Sequence, residues 1–134
     1  MSGKRIWLRN TLGSSSPLVD FVPVERMLQG ESVLSAQIVK PFLVYRFGNK
    51  TPEDLAEDMP DVARQFLSIY LHDVPADYSR IDQMEMAVIH SLNLASSRNE
   101  SVVTTRYLET SRDLDDQALG TIYRYVRFQL IMTG

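Results

Sequence analysis

Residues 71–82, LHDVPADYSRID, lie between an alternating apolar run and a segment with helical spacing, so they determine how a strand passes into a helix. Pro75 has no backbone N–H and is expected to end the strand. Ser79, or the aspartate two residues before it, can cap the helix, and Asp82 adds a carboxylate to the first helical turn. Arg80 is close enough in the chain to pair with an aspartate on either side of the proline. The stretch therefore predicts a structural corner built from Asp73, Pro75, Asp77, Ser79, Arg80 and Asp82.

A histidine among charged residues could also indicate a catalytic or metal site. The chain has no cysteine, and its two histidines, His72 and His90, stand eighteen positions apart without a zinc-binding spacing. No P-loop, GxGxxG or GxSxG string occurs. A catalytic role would rest on Asp77, Arg80 and Asp82 alone, and capping already explains these residues. We expect no enzyme activity, metal or cofactor, and we expect His72 to be a half-buried strand residue.

The run that precedes the corner has the alternation of a strand. In residues 64–73, RQFLSIYLHD, one face would carry Leu67, Ile69 and Leu71, and the other would carry Phe66, Ser68, Tyr70 and His72. Residues 41–48, PFLVYRFG, form an earlier aromatic and β-branched strand that ends at a glycine. Consecutive strands usually pair, so these two predict an antiparallel hairpin with the acidic loop 49–61 between them.

The run that follows the corner has the spacing of an amphipathic helix. An apolar stripe is formed by Ile81, Met84, Val88, Ile89 and Leu92, while Asp82, Gln83 and Glu85 are expected to face water. Two more strands follow, at 102–109 and 122–132, and residues 110–121 have the composition of a hairpin loop. In the last strand, Tyr123, Tyr125, Arg127 and Gln129 alternate with apolar residues.

The N-terminal third of the chain is less regular. Residues 4–13, KRIWLRNTLG, predict a short helix that stops at Gly13, and residues 14–37 predict an irregular arm. Residues 1–134 are expected to form a single domain, with the helix and arm in 1–37 and the core in 38–134. The expected fold is α+β, a mainly antiparallel four-stranded sheet with helices on one face, in the order α, arm, β, β, α, β, β.

The composition of the chain disfavours nucleic acid and membranes as binding partners. The chain has 134 residues, a formal net charge of −3 and a pI near 5.3. This balance disfavours direct binding of nucleic acid, which usually needs clustered Lys and Arg. No apolar run is long enough to span a membrane, and MSGKRIWLRN lacks the apolar region of a signal peptide, so we expect a soluble intracellular product without a membrane partner.

Three stretches carry a resemblance to a known family. They are HDVPADYSRID at 72–82, PFLVYRFGN at 41–49 and LETSRDLDDQALGTIYRYVRFQLI at 108–131. Over roughly residues 38–134 the chain resembles the tail terminator proteins of long, flexible-tailed bacteriophages (siphoviruses), especially those that infect actinobacteria.

The resemblance implies a structural role in the virion, with assembly in the host cytoplasm. Such a protein would form a ring, hexameric in this family, on the head-proximal end of the tail tube and stop tube polymerisation. Its partners would be further copies of itself, the tail tube protein and a head-completion or stopper protein. Genome DNA would pass through the lumen without specific binding, and sheet edges would offer surfaces to neighbouring subunits.

Two groups of residues are candidates for this assembly. Trp7, Tyr123, Tyr125 and Arg127 could contact another subunit, although Trp7 is also a natural core residue and the strand residues could simply form an amphipathic strand. The acidic loop could line the lumen or its rim, or it could be a solvated hairpin tip. Its acidic residues are Glu53, Asp54, Glu57, Asp58 and Asp61.

A small protein- or RNA-binding module is the alternative function. An open sheet face can stack bases on aromatic residues that are surrounded by basic ones. Here Phe66 and Tyr70 could stack, and Arg106, Arg124 and Arg127 could supply positive charge. The net acidity of the chain and the absence of an aromatic-rich RNP string favour the structural role over this alternative.

Overall fold

A computed structural model describes residues 3–30, 39–52, 62–75 and 78–133. In these ranges the chain is α+β, as predicted, with helices packed against a mixed sheet. The helices are α1 (Gly3–Gly13), α2 (Ser16–Val19) and α3 (Tyr78–Leu92). The strands are β1 (Met27–Gln29), β2 (Phe42–Pro52), β3 (Val62–Asp73), β4 (Val102–Thr110), β5 (Leu114–Asp116) and β6 (Thr121–Thr133).

The strand order across the sheet is β1, β2, β3, β6, β4, with β5 also paired to β6. The predicted hairpin of β2 and β3 is confirmed, since the two strands are antiparallel from the Phe42–His72 pair onward. The prediction of four strands was wrong, because β1 and β5 add two more and β1 runs parallel to β2. Each of these strands has only three residues, which is too short to show a twofold alternation in sequence.

Strand β2 continues beyond its predicted end at Gly48. The register with β3 shifts between Phe47 and Lys50, and pairing then resumes as far as Pro52. A shift of this kind is a β-bulge, and a glycine without a Cβ is well suited to one. The glycine therefore marks an irregularity inside the strand and not its end.

The core lies between the helices and one face of the sheet. The predicted stripe on α3 is confirmed, because four of its residues are fully buried, while Ile89 packs against the core at its margin. The first helix adds Leu8 and Leu12, both fully buried. From the sheet the core takes every second residue of the long strands, including Leu43, Tyr45, Leu67, Ile69, Leu71, Val126, Phe128 and Leu130.

The arm predicted to be irregular contains short elements in its described part. Ser15 caps α2 by accepting a hydrogen bond from the amide of Leu18 at 3.4 Å. A single 3₁₀ turn over Val24–Arg26 leads into β1. Leu18 and Val22 are fully buried, so this segment belongs to the core. Residues 31–38 of the predicted arm lie outside the described residues.

The edge formed by β4 is covered by the loop that follows α3. The amide of Leu94 donates to the carbonyl of Thr105 at 2.6 Å, and the amide of Tyr107 donates to Asn93 Oδ1 at 3.1 Å. Ser97 and Val102 exchange two backbone hydrogen bonds at 2.9 Å. The expectation of freely available sheet edges is therefore wrong for this part of β4, and covering an edge in this way is a common protection against unwanted strand pairing.

Candidate interaction surface

The strand-to-helix corner is built around a buried carboxylate. Asp73 is 1% exposed and accepts hydrogen bonds from Arg80 Nε at 2.7 Å and Nη2 at 2.5 Å, and from the amide of Val74 at 2.7 Å. The hydrogen bond with Asp73 also raises the pKa of Arg80. The predicted pairing is thus confirmed with Asp73 as partner. Helix α3 begins at Tyr78, which puts Ser79 inside the first turn; Asp77 lies outside the described residues, so its role as the cap stays a prediction.

A second polar centre connects α3 to the sheet through Arg124. Its Nη1 lies 2.5 Å from Asp82 Oδ1 and 2.9 Å from Glu85 Oε1, and its Nε lies 2.5 Å from Asp113 Oδ1. Burial lowers the pKa of Arg124, but the hydrogen bonds to Asp113, Asp82 and Glu85 outweigh it and raise the pKa. Asp82 is exposed, as expected, whereas Glu85 is only partly exposed, and both carboxylates also bind Arg124. Arg124 is also not available to bind RNA, because its guanidinium is held on the helix side of the sheet.

The described part of the chain contains no cluster of metal ligands. Within residues 3–30, 39–52, 62–75 and 78–133, no three His, Cys, Asp or Glu side chains are grouped closely enough to hold a metal ion. None of the helices in these ranges is long and apolar enough to cross a membrane.

The face of the sheet opposite the helices, here called the outer face, carries the predicted interface residues of the last strand, Tyr123, Tyr125 and Arg127. Backbone register aligns β2, β3 and β6 in rows across this face. The first row is Phe42, His72 and Tyr123, the second is Val44, Tyr70 and Tyr125, and the third is Arg46, Ser68 and Arg127.

The first row is a closed aromatic stack. The ring of His72 lies 4.6 Å from that of Phe42 and 5.0 Å from that of Tyr123, with interplanar angles of 8° and 18°. His72 Nδ1 is 2.8 Å from Thr121 Oγ1. His72 is buried at 6% exposure, deeper than the half-buried position expected from sequence. Burial lowers its pKa to about 4, against a weaker opposing effect of Asp116, so the ring is neutral near pH 7.

The second and third rows combine tyrosines with arginines. Tyr70 lies 5.9 Å from Tyr125, and the Arg46 guanidinium sits 5.6 Å above the Tyr70 ring. Arg127 lies 4.8 Å above the ring of Phe66, which is 37% exposed. Phe66, Tyr70, Tyr125 and Arg127 line a shallow groove. Cation–π contacts hold the guanidinium groups of Arg46 and Arg127 over aromatic rings.

The alternation in the last strand predicted Tyr123, Tyr125 and Arg127 on the non-core face, and the structure brings them together there with Tyr70. Arg46 was not among the predicted residues, because the side chains of the strand 41–48 had not been assigned to either face of the sheet. The available signal was the position of Arg46 two residues after Val44, which puts both side chains on the same face of β2.

The remaining candidates do not belong to the outer face. Trp7 lies on α1 and packs against the core, partly buried, which favours its interpretation as a core residue. Its neighbour Ile6 is 45% exposed. Residues 53–61, with Glu53, Asp54, Glu57, Asp58 and Asp61, lie outside the described residues.

Comparison with known proteins identifies the fold. No protein-family model and no curated protein matches the chain. Among solved structures, the chain is similar to a chain from the virion of a native gene transfer agent (GTA) particle, with a TM-score of 0.71 and 15% sequence identity. The match covers 95% of this chain and 92% of the other. At this identity the likeness establishes a shared fold over nearly the whole length.

Proposed function

We propose that this chain is a structural protein of a phage-like virion and not an enzyme. Its fold matches, almost end to end, that of a chain in a gene transfer agent virion. Asp73, Arg80 and Asp82 of the corner, which first suggested chemistry, are engaged in ion pairs that support the fold. A structural protein of this kind works through its surfaces.

The finer proposal is a tail terminator. It follows from the resemblance carried by residues 41–49, 72–82 and 108–131, and it fits the shared fold. In this proposal several copies, six in the resembling family, form a ring at the head-proximal end of the tail tube and stop its growth. The ring would meet the tail tube protein on one side and a head-completion or stopper protein on the other, first in the host cytoplasm and then in the virion.

The single observation that supports a binding role is the cluster of tyrosines and arginines on the outer face. Tyr70, Tyr123 and Tyr125 form a partly exposed cluster with Arg46 and Arg127 on a sheet face that no described helix covers. Tyrosine and arginine are the residue types most enriched at the centres of protein interfaces. Since the adjacent edge of β4 is covered, we assign the contact to this face and not to strand addition at that edge.

The charge distribution supports a lumen that does not hold DNA. Five of the seventeen acidic residues are concentrated in residues 53–61, which contain no Lys or Arg. We propose, as the sequence suggested, that this segment lines the lumen or rim, where like charge would keep the genome from adhering as it passes.

The alternative of an RNA-binding module is disfavoured by the contacts on the outer face. Stacked bases need open aromatic rings. Arg46 already covers Tyr70, and Arg127 covers Phe66. Filter binding with single-stranded RNA at moderate salt should show no retention, and micromolar binding would favour the RNA-binding module.

Substitution of Tyr125 by Glu tests the proposed contact. A carboxylate beside Tyr70 would have to be desolvated in the interface, so we expect about tenfold fewer tail tubes capped by a ring, counted by electron microscopy. Tyr78→Glu is the matched control, because Tyr78 is 49% exposed on the helix layer. Circular dichroism should show both variants folded. Normal capping by Tyr125→Glu would exclude the outer face as the subunit contact.

A further inference from the structure

A cationic corner lies where α1 approaches the far end of β2. Lys4 Nζ is 4.9 Å and Arg5 Cζ is 5.2 Å from the centre of the Phe47 ring. Lys4 also hydrogen-bonds Gln65 Oε1. Burial and the nearby charges of Lys50 and Arg5 lower the pKa of Lys4, against a weaker opposing effect of Glu100. Two cations thus lie over one ring, with the charge of Lys50 nearby, and exposed Lys50 has no hydrogen bond or ion pair in the described part of the chain.

An acidic corner lies at the opposite end of the sheet, around β5. It contains Asp113, Asp115 and Asp116. Asp113 is bound by Arg124, and Asp116 accepts a hydrogen bond from the amide of Leu119 at 3.0 Å. The side chain of Asp115 is exposed and has no hydrogen bond or ion pair with any described residue.

The two corners cannot meet within one chain. Lys50 pairs with Gln65, which stands opposite Leu130 of β6, whereas Asp115 stands opposite Ile122 of the same strand. These two β6 positions are eight residues apart, which corresponds to about 26 Å along the sheet. The corners also lie on opposite sides of the β3–β6 pair.

We propose that the cationic corner of one copy binds the acidic corner of the next, so that Lys50 meets Asp115 across a head-to-tail interface. Two different, complementary patches at opposite ends of a subunit are what a heterologous contact requires, and such contacts close into rings when the rotation permits. This inference rests on the proposed ring and names the electrostatic part of its subunit contact, next to the aromatic part on the outer face.

Charge exchange tests the pairing. Lys50→Glu and Asp115→Lys, each alone, place like charges opposite each other and should reduce the fraction of ring-capped tubes by about tenfold. The double variant K50E/D115K restores opposite charges at every interface and should return capping to within about twofold of wild type. Asp20→Lys, at an exposed position on the helix layer, should leave capping unchanged. A double variant no better than the single variants would overturn the pairing.

Two other anions could occupy the cationic corner, namely DNA phosphate or residues 53–61 of the same chain. In either case Asp115→Lys alone would cap tubes normally, and that result would refute the proposal. If wild-type protein caps tubes but the charge variants behave identically to it, the pairing fails while the terminator role stands. If wild-type protein never caps tubes, the proposed function itself fails.

The absence of cysteine allows a second test that does not depend on ring counting. Lys50→Cys and Asp115→Cys proteins, mixed on tail tubes and treated with a bis-maleimide cross-linker as long as a Lys–Asp ion pair, should give a covalent dimer that contains one chain of each. Because the positions are too far apart for an intramolecular cross-link, K50C/D115C should give a ladder of covalent oligomers. K50C/D20C is the control and should stay monomeric. Absence of the mixed dimer in capped tubes would contradict the proposed contact.

Discussion

His72 and Asp73 are neighbours at the end of β3, and successive strand residues point to opposite faces of a sheet. The imidazole of His72 therefore stacks on the outer face, while the carboxylate of Asp73 turns inward to Arg80. Their adjacency in sequence suggests a shared site, but the strand separates them. Each is held by its own partners, His72 by the aromatic rings of Phe42 and Tyr123 and Asp73 by Arg80.

The burial of His72 predicts a pH dependence of stability. Its pKa is about 4 in the folded chain and 6.5 in the unfolded chain, so only the unfolded state gains a proton between these values. The contribution of His72 is complete above pH 6.5 and is lost as the pH falls towards 4. From these values we expect a loss of about 3 kcal/mol in the free energy of unfolding.

Urea unfolding at pH 7 and pH 4.5 measures this loss. His72→Gln should remove most of the difference between the two pH values, and His90→Gln should preserve it. A His72→Gln protein with the full wild-type difference would show that other groups cause the pH dependence.

At the scale of elements, strong periodicity predicted α3, β3 and β6, because each is long enough to show its repeat. The strands β1 and β5 could not be predicted, since three residues carry no period. The packing of β3 beside β6 also could not be derived from local pattern, because these strands are not consecutive. This pairing is what brings Tyr70 next to Tyr125 and creates the outer face.

Arg124 could have been recognised from the sequence. It lies on the same face of β6 as Ile122 and Val126, which are both buried. A guanidinium on this face is partly desolvated, so it needs carboxylate partners from the helix layer. Two of these partners are Asp82 and Glu85, which are three residues apart and therefore neighbours on the surface of α3.

This connection between α3 and the sheet predicts unequal costs for two arginine substitutions. Arg124→Met leaves three carboxylates near a 12% exposed position without their cation, and we expect it to cost about 2 kcal/mol. Arg127→Met breaks the more exposed pair with Glu109 and the cation–π contact with Phe66, and it should cost less than about 1 kcal/mol. Urea unfolding at neutral pH compares them directly. Equal costs would mean that Arg124 does not stabilise the packing of α3.

At the scale of the whole molecule, the surfaces divide by chemistry. The helix face is closed around the core, the outer face presents tyrosines and arginines, and opposite charges lie at the two ends of the sheet. A subunit with distinct contact surfaces is suited to assembly with further copies of itself. On the basis of the resemblance to tail terminators, we propose that this assembly forms at the end of a tail tube.

Electron microscopy of tail tubes tests this account most directly. Tubes would be grown from the tail tube protein with and without this chain, and their lengths and ends compared. We predict that tubes grown with the chain stop lengthening and carry a closed ring at one end. Tubes that grow equally long with bare ends in its presence would contradict the terminator role.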